Sequence, residues 1–407
     1  MNRIKVLHVH TLPIVSGSGI NTYLTMKRTP RDRFEVSLAC APGGMLNYIV
    51  RGNGMAVHEV RNMVQPLHPV KDLRALFELV RILRREEITV VHTHNSKAGF
   101  LGRLAGKIAK TPVVIHTVHG FSFHDNEPWI RRVLFKRLER RAARWADRMI
   151  YISQPMIDWA EREGILQEGA YSKIYSGIDL EAFRKYDRAE QGRLRNELGL
   201  GMTDPVIGFV SKLWEGKGHT VALKAITGVL KKHPDVKLLL VGEGDLEPSL
   251  RERVREYGIE ASVIFAGFRT KIAEITALCD FCILPSFYEG MGRVLLEAGA
   301  SGKAVVATTV GGIPDVVVDG KTGILIPPGE PSLLAEAMLR LLNDPGLRLR
   351  MGENARRRIG EKFDAGTMVD EIVAVYDLCL KQKGIAVPEL SLKRCDFEKV
   401  IANRKTG

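Results

Sequence analysis

The chain has 407 residues, of which 45% are apolar, 26% charged and 7% aromatic. That length corresponds to about two or three domains, and the composition excludes a disordered, collagen-like or disulfide-scaffold protein. The net charge of +13 is uneven: residues 1–190 carry 30 Lys and Arg against 19 Asp and Glu, so the first half either meets something anionic or stays soluble by charge.

No apolar run approaches ~18 residues, so no membrane-crossing helix is expected. Met1 to Gly19 is interrupted by His8, His10 and Pro13, so no signal peptide is expected there. Cys40, Cys279, Cys282, Cys379 and Cys395 are few, odd in number and scattered, which suits a reducing cytoplasm. Cys279 and Cys282 have C-x-x-C spacing without a second pair, so they are expected as buried thiols rather than zinc ligands.

Strand-like and helix-like runs alternate along the chain. Strands are expected at 5–11, 34–42, 89–95, 112–120 and 148–153, with helical patterns between them such as 72–86. A second series runs through 205–213, 236–244, 263–268, 281–286, 303–309 and 323–328, and ends in helices near 331–343, 346–360 and 366–383. Continuous β-branched runs between helices indicate parallel strands buried on both faces. The expected fold is α/β, with two doubly wound, Rossmann-like parallel sheets facing a cleft. The polar, Gly-rich stretch 175–204 is the expected place for the hinge. The expected domains are therefore 1–190, a linker at 191–204, a second domain at 205–365, a C-terminal helix at 366–384 and a basic tail at 385–407.

The sharpest chemical signal is SFYEGMGRVLLE, a strand followed by a glycine-punctuated turn and a helix. Gly290 and Gly292 let backbone approach a ligand closely. The amides of Met291, Gly292 and Arg293 stand at a helix start, where hydroxyls or phosphate oxygens can be held. Glu289 precedes the turn, and Glu297 is two turns in, where a carboxylate could accept from a ribose diol.

VSKLWEGKG (210–218) follows the first strand of the second domain. Lys212 and Lys217 there make a pyrophosphate cradle, and the spacing excludes the Walker-type phosphate loop. In the first domain, PIVSGSGINTYL has Gly17 and Gly19 in a glycine loop whose amides could meet a phosphate, but Thr22 stands where a dinucleotide fingerprint needs its third glycine.

His8, His10, His92, His94, His116, His119 and His124 cluster at strand ends. Most are expected to be hydrogen-bonded packing groups rather than metal ligands, and His119, before Gly120, is the best candidate for a reacting centre. Residues 128–147 form a helix with an apolar stripe of Ile130, Leu134, Leu138, Ala142 and Trp145 among many arginines. That pattern suits an anionic membrane surface, although a solvated helix packed on its own sheet is the simpler expectation.

Together these residues resemble the retaining glycosyltransferases of family 4, which have the GT-B fold. Glu289 and Glu297 stand at the family's E-x7-E motif. VSKLWEGKG resembles its G-R-L-x-x-x-K-G, with Ser211 and Lys212 where Gly and Arg are usual. SKIYSGIDLEAF resembles its linker, with Ser176 in place of Asn. The first domain is similar to a bacterial subgroup building capsule, exopolysaccharide and lipid-linked glycans.

The resemblance implies a nucleotide-sugar donor, UDP-linked as the first expectation, and a glycan or lipid-linked acceptor. Glu297 would bind ribose. Glu289 and the amides of Met291 to Arg293 would hold sugar hydroxyls. Lys212 and Lys217 would neutralise the diphosphate under Gly17 to Gly19, Gly267, Phe268 and Arg269 would meet the base, and His119 would lie beside the anomeric carbon. No metal or other cofactor is implied, because lysines and helix dipole take the leaving-group charge. Lys212 lacks the bidentate fork of an arginine and would act as a point charge.

Two other readings remain open on the residues. One is a nucleotide-sugar 2-epimerase of the same fold. The other is a non-enzymatic basic module, though no nucleic-acid motif with interleaved aromatics is present and no nucleic-acid partner is expected.

Overall fold

The computed structural model describes residues 3–120, 129–184 and 188–387. The chain forms two compact units, Met1–Gly177 with Ala365–Gly407, and Ile178–Asp364.

In the first unit, β1 (Ile4–Val9), β2 (Phe34–Cys40), β3 (Ala56–Glu59), β4 (Val90–His94), β5 (Val113–Val118), β6 (Arg148–Tyr151) and β7 (Tyr171–Lys173) form one parallel sheet in the order β3-β2-β1-β4-β5-β6-β7. In the second unit, β8 (Val206–Val210), β9 (Lys237–Val241), β10 (Val263–Phe265), β11 (Phe281–Leu284), β12 (Ala304–Thr308) and β13 (Ile324–Ile326) form another parallel sheet, ordered β10-β9-β8-β11-β12-β13. The eleven strands expected from the sequence are present, each ending earlier than expected, while β1 begins one residue sooner. The two not foreseen, β3 and β7, are short; β3 is a sheet edge with half-exposed and exposed side chains, so it lacks the apolar run that marks a buried strand.

Alternation along each strand feeds two helix layers in the first unit. Leu7, Val9, Val91 and Val114 pack with Leu79 and Leu83 of helix Pro69–Arg85 and with Leu101 and Ala105 of helix Ser96–Ala109. On the opposite face, Val6, Val36, Val90 and Ile115 pack with Leu24 of helix Gly17–Arg28 and with Ile372, Tyr376 and Cys379 of helix Ala365–Gln382. The last helix therefore belongs to the first unit's core. Cys279 and Cys282 are buried without a disulfide, as are Cys40 and Cys379; Cys395 lies outside the described residues.

The division between the units falls after Gly177 rather than in the expected linker at 191–204. Ile178 is fully buried; its amide donates to the Phe363 carbonyl at 2.9 Å, and it bridges to Asp364. The two crossings of the chain thus lie side by side. The polar stretch taken for a hinge holds helices Leu180–Arg184 and Arg188–Glu197, which pack on helix Ile272–Leu278 of the second unit. Its charged composition marks a helix surface, not a free connector.

Helix Trp129–Ala143 packs on its own unit through one end, where Glu139 also pairs with the buried Arg103 at 2.7 Å. Ala142 and Ala143 are buried, but Trp129, Ile130, Val133, Leu134 and Leu138 are exposed. Helix Pro69–Arg85 likewise exposes Val70, Leu73 and Phe77 at helical spacing. Among the described residues no helix is long and apolar enough to cross a membrane.

Arg33 and Asp377 tie the last helix to the start of β2 through a 2.6 Å ion pair, with side chains only 5% and 10% exposed. Replacing Asp377 by Ala leaves a buried guanidinium without its counter-charge. The expected loss is about 3–5 kcal/mol from the first unit's stability, measured as a fall in its denaturant midpoint while the second unit's transition stays in place.

Candidate functional site

Parallel sheets collect ligands outside the carboxyl ends of their strands, at the point where strand order reverses. In the second unit that point lies between β8 and β11. The loop after β8 carries Lys217 and the loop after β11 carries Glu289. Their side chains meet there: Lys217 Nζ donates to Glu289 Oε1 at 2.5 Å, with 22% and 11% of each side chain exposed. Ser286 Oγ donates to the same oxygen at 3.0 Å, and Thr308 Oγ1 donates to the Ser286 carbonyl at 2.6 Å.

Close backbone contacts hold these loops. Gly218 has a φ of +78°, and a Cβ there would lie 2.0 Å from the Pro285 carbonyl oxygen. Gly311, in the loop after β12, has a φ of +51°, and a Cβ would fall 1.7 Å from the Glu289 carbonyl oxygen. The next amide, Gly312 N–H, donates to the Gly290 carbonyl at 3.1 Å. The loop after β12 therefore braces the Glu289 turn. A backbone brace of this kind is invisible in a motif of charged residues, although Gly311 and Gly312 stand beside each other in the sequence.

Gly292 takes the left-handed conformation, φ +73°, as the cap of helix Arg293–Ala300. Its carbonyl accepts from Leu295 N–H at 2.8 Å. Met291 is buried. Glu297 is buried too, and Arg293 Nε donates to its Oε1 at 3.1 Å. Burial pushes the Glu297 carboxyl above the usual carboxylate range, with Arg293 opposing the shift. This pairing was not foreseen, although the four-residue spacing puts both on one helix face.

Lys212 is exposed and takes part in no ion pair among the described residues. Gly267, φ +66°, accepts at its carbonyl from Gly242 N–H at 2.9 Å, which joins the loops after β9 and β10. Phe268 is exposed. Arg269 Nη1 binds Glu197 Oε1 at 2.5 Å, and its Nε donates to the Ala266 carbonyl. His219 is a further residue that motif reading missed: its ring stacks on Phe209 with centroids 4.4 Å apart, and its Nε2 lies 3.1 Å from Ser211 Oγ. Burial brings its pKa down to about 4.

In the first unit the strand order reverses between β1 and β4. Gly17 and Gly19 follow β1, but they do not form a loose loop. They open helix Gly17–Arg28, and Gly19 N–H is held by the capping Ser16 Oγ at 3.2 Å. A serine three residues ahead of the helix amide is the reason.

Register assembles the histidines. His8 lies beside His92 across β1 and β4, and His94 beside Thr117 across β4 and β5. His92 contacts Tyr376 Oη and Thr117 Oγ1, each at 2.7 Å. His8 Nδ1 lies 3.0 Å from His94 Nε2, and His94 Nδ1 lies 3.1 Å from His119 Nε2. His10 Nδ1 donates to the Leu12 carbonyl at 2.9 Å, so its Nε2 accepts from Asn95 at 2.8 Å. Ring nitrogens of His8, His92 and His94 come within 4.8 Å of one another, a spacing a cation could use, but both nitrogens of His92 are already engaged by hydroxyls. His124 lies outside the described residues.

A model described as glycosyl transferases group 1 matches residues 190–358, and one described as glycosyltransferase family 4 matches residues 15–182. Together they take in most of the chain. The chain belongs to glycosyltransferase family 4. Among curated relatives of this family 4 glycosyltransferase, the Escherichia coli UDP-Gal:alpha-D-GlcNAc-diphosphoundecaprenol alpha-1,3-galactosyltransferase is 28% identical over 379 residues, covering 92% of this chain and 97% of that one. The Staphylococcus aureus capsular polysaccharide biosynthesis glycosyltransferase CapM is 26% identical, covering 82% and 90%. Among solved structures, Anabaena HepE in complex with UDP-glucose aligns with a TM-score of 0.82 at 24% identity, over 92% of this chain and all of that one. The fold is GT-B, and the epimerase reading is not favoured by these matches.

Burial lowers the pKa of His8 and His119 to about 3 and of His10 to about 4, and holds His92, His94 and His116 well below the usual histidine value. The unfolded chain takes up protons near pH 6.5 that the folded glycosyltransferase refuses. Stability is therefore complete above that pH and falls as pH drops through 6.5 toward 4. Unfolding of the first unit followed between pH 7.5 and 5 should show this slope, and a flat profile would contradict it.

Proposed function

We propose that this glycosyltransferase moves a sugar from a nucleotide diphosphate, UDP in the first instance, to a hydroxyl of a lipid-linked glycan, with retention of anomeric configuration. The observation that carries the proposal is the Lys217–Glu289 pair at the switch point of the second unit. It combines a cation suited to a diphosphate with a carboxylate suited to sugar hydroxyls, on loops braced by backbone contacts.

In this reading Lys217 exchanges Glu289 for the donor's phosphate oxygens, and Lys212 adds a second ammonium. Glu289, freed, takes sugar hydroxyls together with the amides of Met291, Gly292 and Arg293. Glu297, buried and oriented by Arg293, accepts from the ribose. The base lies along Gly267, Phe268 and Arg269 on the neighbouring loop of the same edge. His119 attends the anomeric carbon, and Gly17 and Gly19 offer a helix start to phosphate. No carboxylate here is assigned as a covalent nucleophile. The acceptor oxygen attacks from the face the diphosphate leaves, and the departing phosphate takes its proton. The lysines and the helix dipole stabilise the charge that develops on the leaving group. Supporting a lipid-linked acceptor are the names of relatives: one acts on a diphosphoundecaprenol-linked sugar, and another serves capsular polysaccharide biosynthesis.

Lys217→Ala should lower turnover on the order of 10²-fold or more, as loss of a charge partner in the transition state does. The same variant should keep its fold by circular dichroism. Near-normal turnover would contradict the reading. With wild-type protein, UDP-sugar at 100-fold over its Kd should add about 2.7 kcal/mol of stability. Incubation with UDP-sugar alone should yield no epimer.

The exposed face of helix Trp129–Ala143 supports peripheral contact with an anionic bilayer. Trp129, Ile130, Val133, Leu134 and Leu138 lie exposed and interspersed with Arg137, Arg141 and Arg144, so one surface offers an anionic interface both apolar and cationic groups. Val70, Leu73 and Phe77 are also exposed, on helix Pro69–Arg85, which like helix Trp129–Ala143 packs on helix Ser96–Ala109. Flotation with anionic vesicles at low salt should carry the protein upward. Leu134→Asp combined with Trp129→Ala should abolish that while leaving the thermal shift with UDP-sugar unchanged. Equal flotation of the variant would remove the assignment.

A further inference from the structure

The chain of three imidazoles in the first unit has a chemical direction. His8 Nδ1 meets His94 Nε2 at 3.0 Å, and His94 Nδ1 meets His119 Nε2 at 3.1 Å. Each contact needs one proton and one lone pair. His8 and His94 are buried at 0% and 2% exposure. Burial keeps all three rings neutral, so each carries one N–H.

Two arrangements satisfy both contacts. In the first, His8 donates from Nδ1 to His94, His94 donates from Nδ1 to His119, and His119 keeps its proton on Nδ1. In the second, every proton sits on Nε2 and the donations run the other way. The far end of the chain decides between them. His8 Nε2 is buried and has no hydrogen-bond partner among the described residues. The second arrangement would put an N–H there with nothing to accept it, and orphaned buried N–H groups are the rarer kind of unsatisfied atom. The first arrangement leaves a bare nitrogen at that position instead. Engagement of all four contacting nitrogens by one another also separates this chain from a cation site, which would need their lone pairs turned to a common centre.

We propose that His94, itself oriented by His8, is a positioning residue that fixes His119 as the Nδ1–H tautomer. His119 then offers the nitrogen that His94 does not hold as a hydrogen-bond donor, suited to an oxygen of the donor sugar or its leaving group and unsuited to taking a proton. This rests on the placement of His119 beside the donor made above. His94 touches no substrate in it; its effect passes through the ring it holds.

The test is the imidazole 15N spectrum of the full-length protein with 15N-labelled histidine, read with long-range proton correlations. In the wild type, His119 and His94 should each show a protonated Nδ1 and a bare Nε2. His119 protonated on Nε2 would overturn the proposal without any variant. His94→Leu removes the donor to His119 Nε2, and the His119 signals should move toward a mixture of tautomers. Turnover should then fall about 10-fold or more, with the KM for UDP-sugar changed less than 3-fold. His94→Gln, whose amide can still donate, should restore most of the Nδ1–H pattern and of kcat. An unaltered His119 spectrum in a folded His94→Leu protein would overturn the role of His94. Full transfer activity in His119→Ala, with the tautomer pattern of the wild type as stated, would instead overturn the placement of His119 beside the donor.

Discussion

A parallel sheet sends the carboxyl end of every strand to one edge, and both units of this chain are built on that constraint. The edge is where backbone polarity, loops and charged side chains can be gathered without breaking the ladder. In the second unit, loops that are far apart in sequence come into line because β10, β9, β8, β11 and β12 are neighbours in that order. Reading across the edge, one meets the exposed Phe268, the glycine contact between Gly242 and Gly267, the lysine loop, the Glu289 turn and the glycine brace at 311–312.

Much of this was legible in the sequence for a physical reason. Strands buried on both faces must be continuously apolar, and helices between them must be amphipathic, so composition alone alternates along the chain. The eleven expected strands follow from that, and the helix at 331–343 matches its expected bounds. Short, half-exposed strands such as β3 carry no such signature. The E-x7-E and lysine motifs were legible because charged residues next to paired glycines at a strand end have few structural uses.

What the sequence did not disclose depends on contacts over long separations. Lys217 and Glu289 stand out in the sequence as candidates, but that they bind each other follows only from strand order. The same holds for Arg293 over Glu297, for Gly311 against the Glu289 carbonyl, and for the register that sets His8 beside His92. The domain boundary was misplaced because local polarity cannot tell a helix surface from a hinge. Gly17 and Gly19 look like a flexible loop until Ser16 is seen capping them into a helix.

The first unit is interrupted in sequence. Its sheet comes from residues before Ile178, yet helix Ala365–Gln382, which covers one face of that sheet, is separated from it by the whole second unit. On the ribosome the chain emerges from its amino terminus, so the second unit can complete its core while the first still lacks a wall. Arg33, Val6, Val36 and Ile115 lack the cover of helix Ala365–Gln382 until the whole second unit has been made. The nascent chain thus carries a partly open apolar sheet face throughout the synthesis of the second unit, and this is where a chaperone would find it.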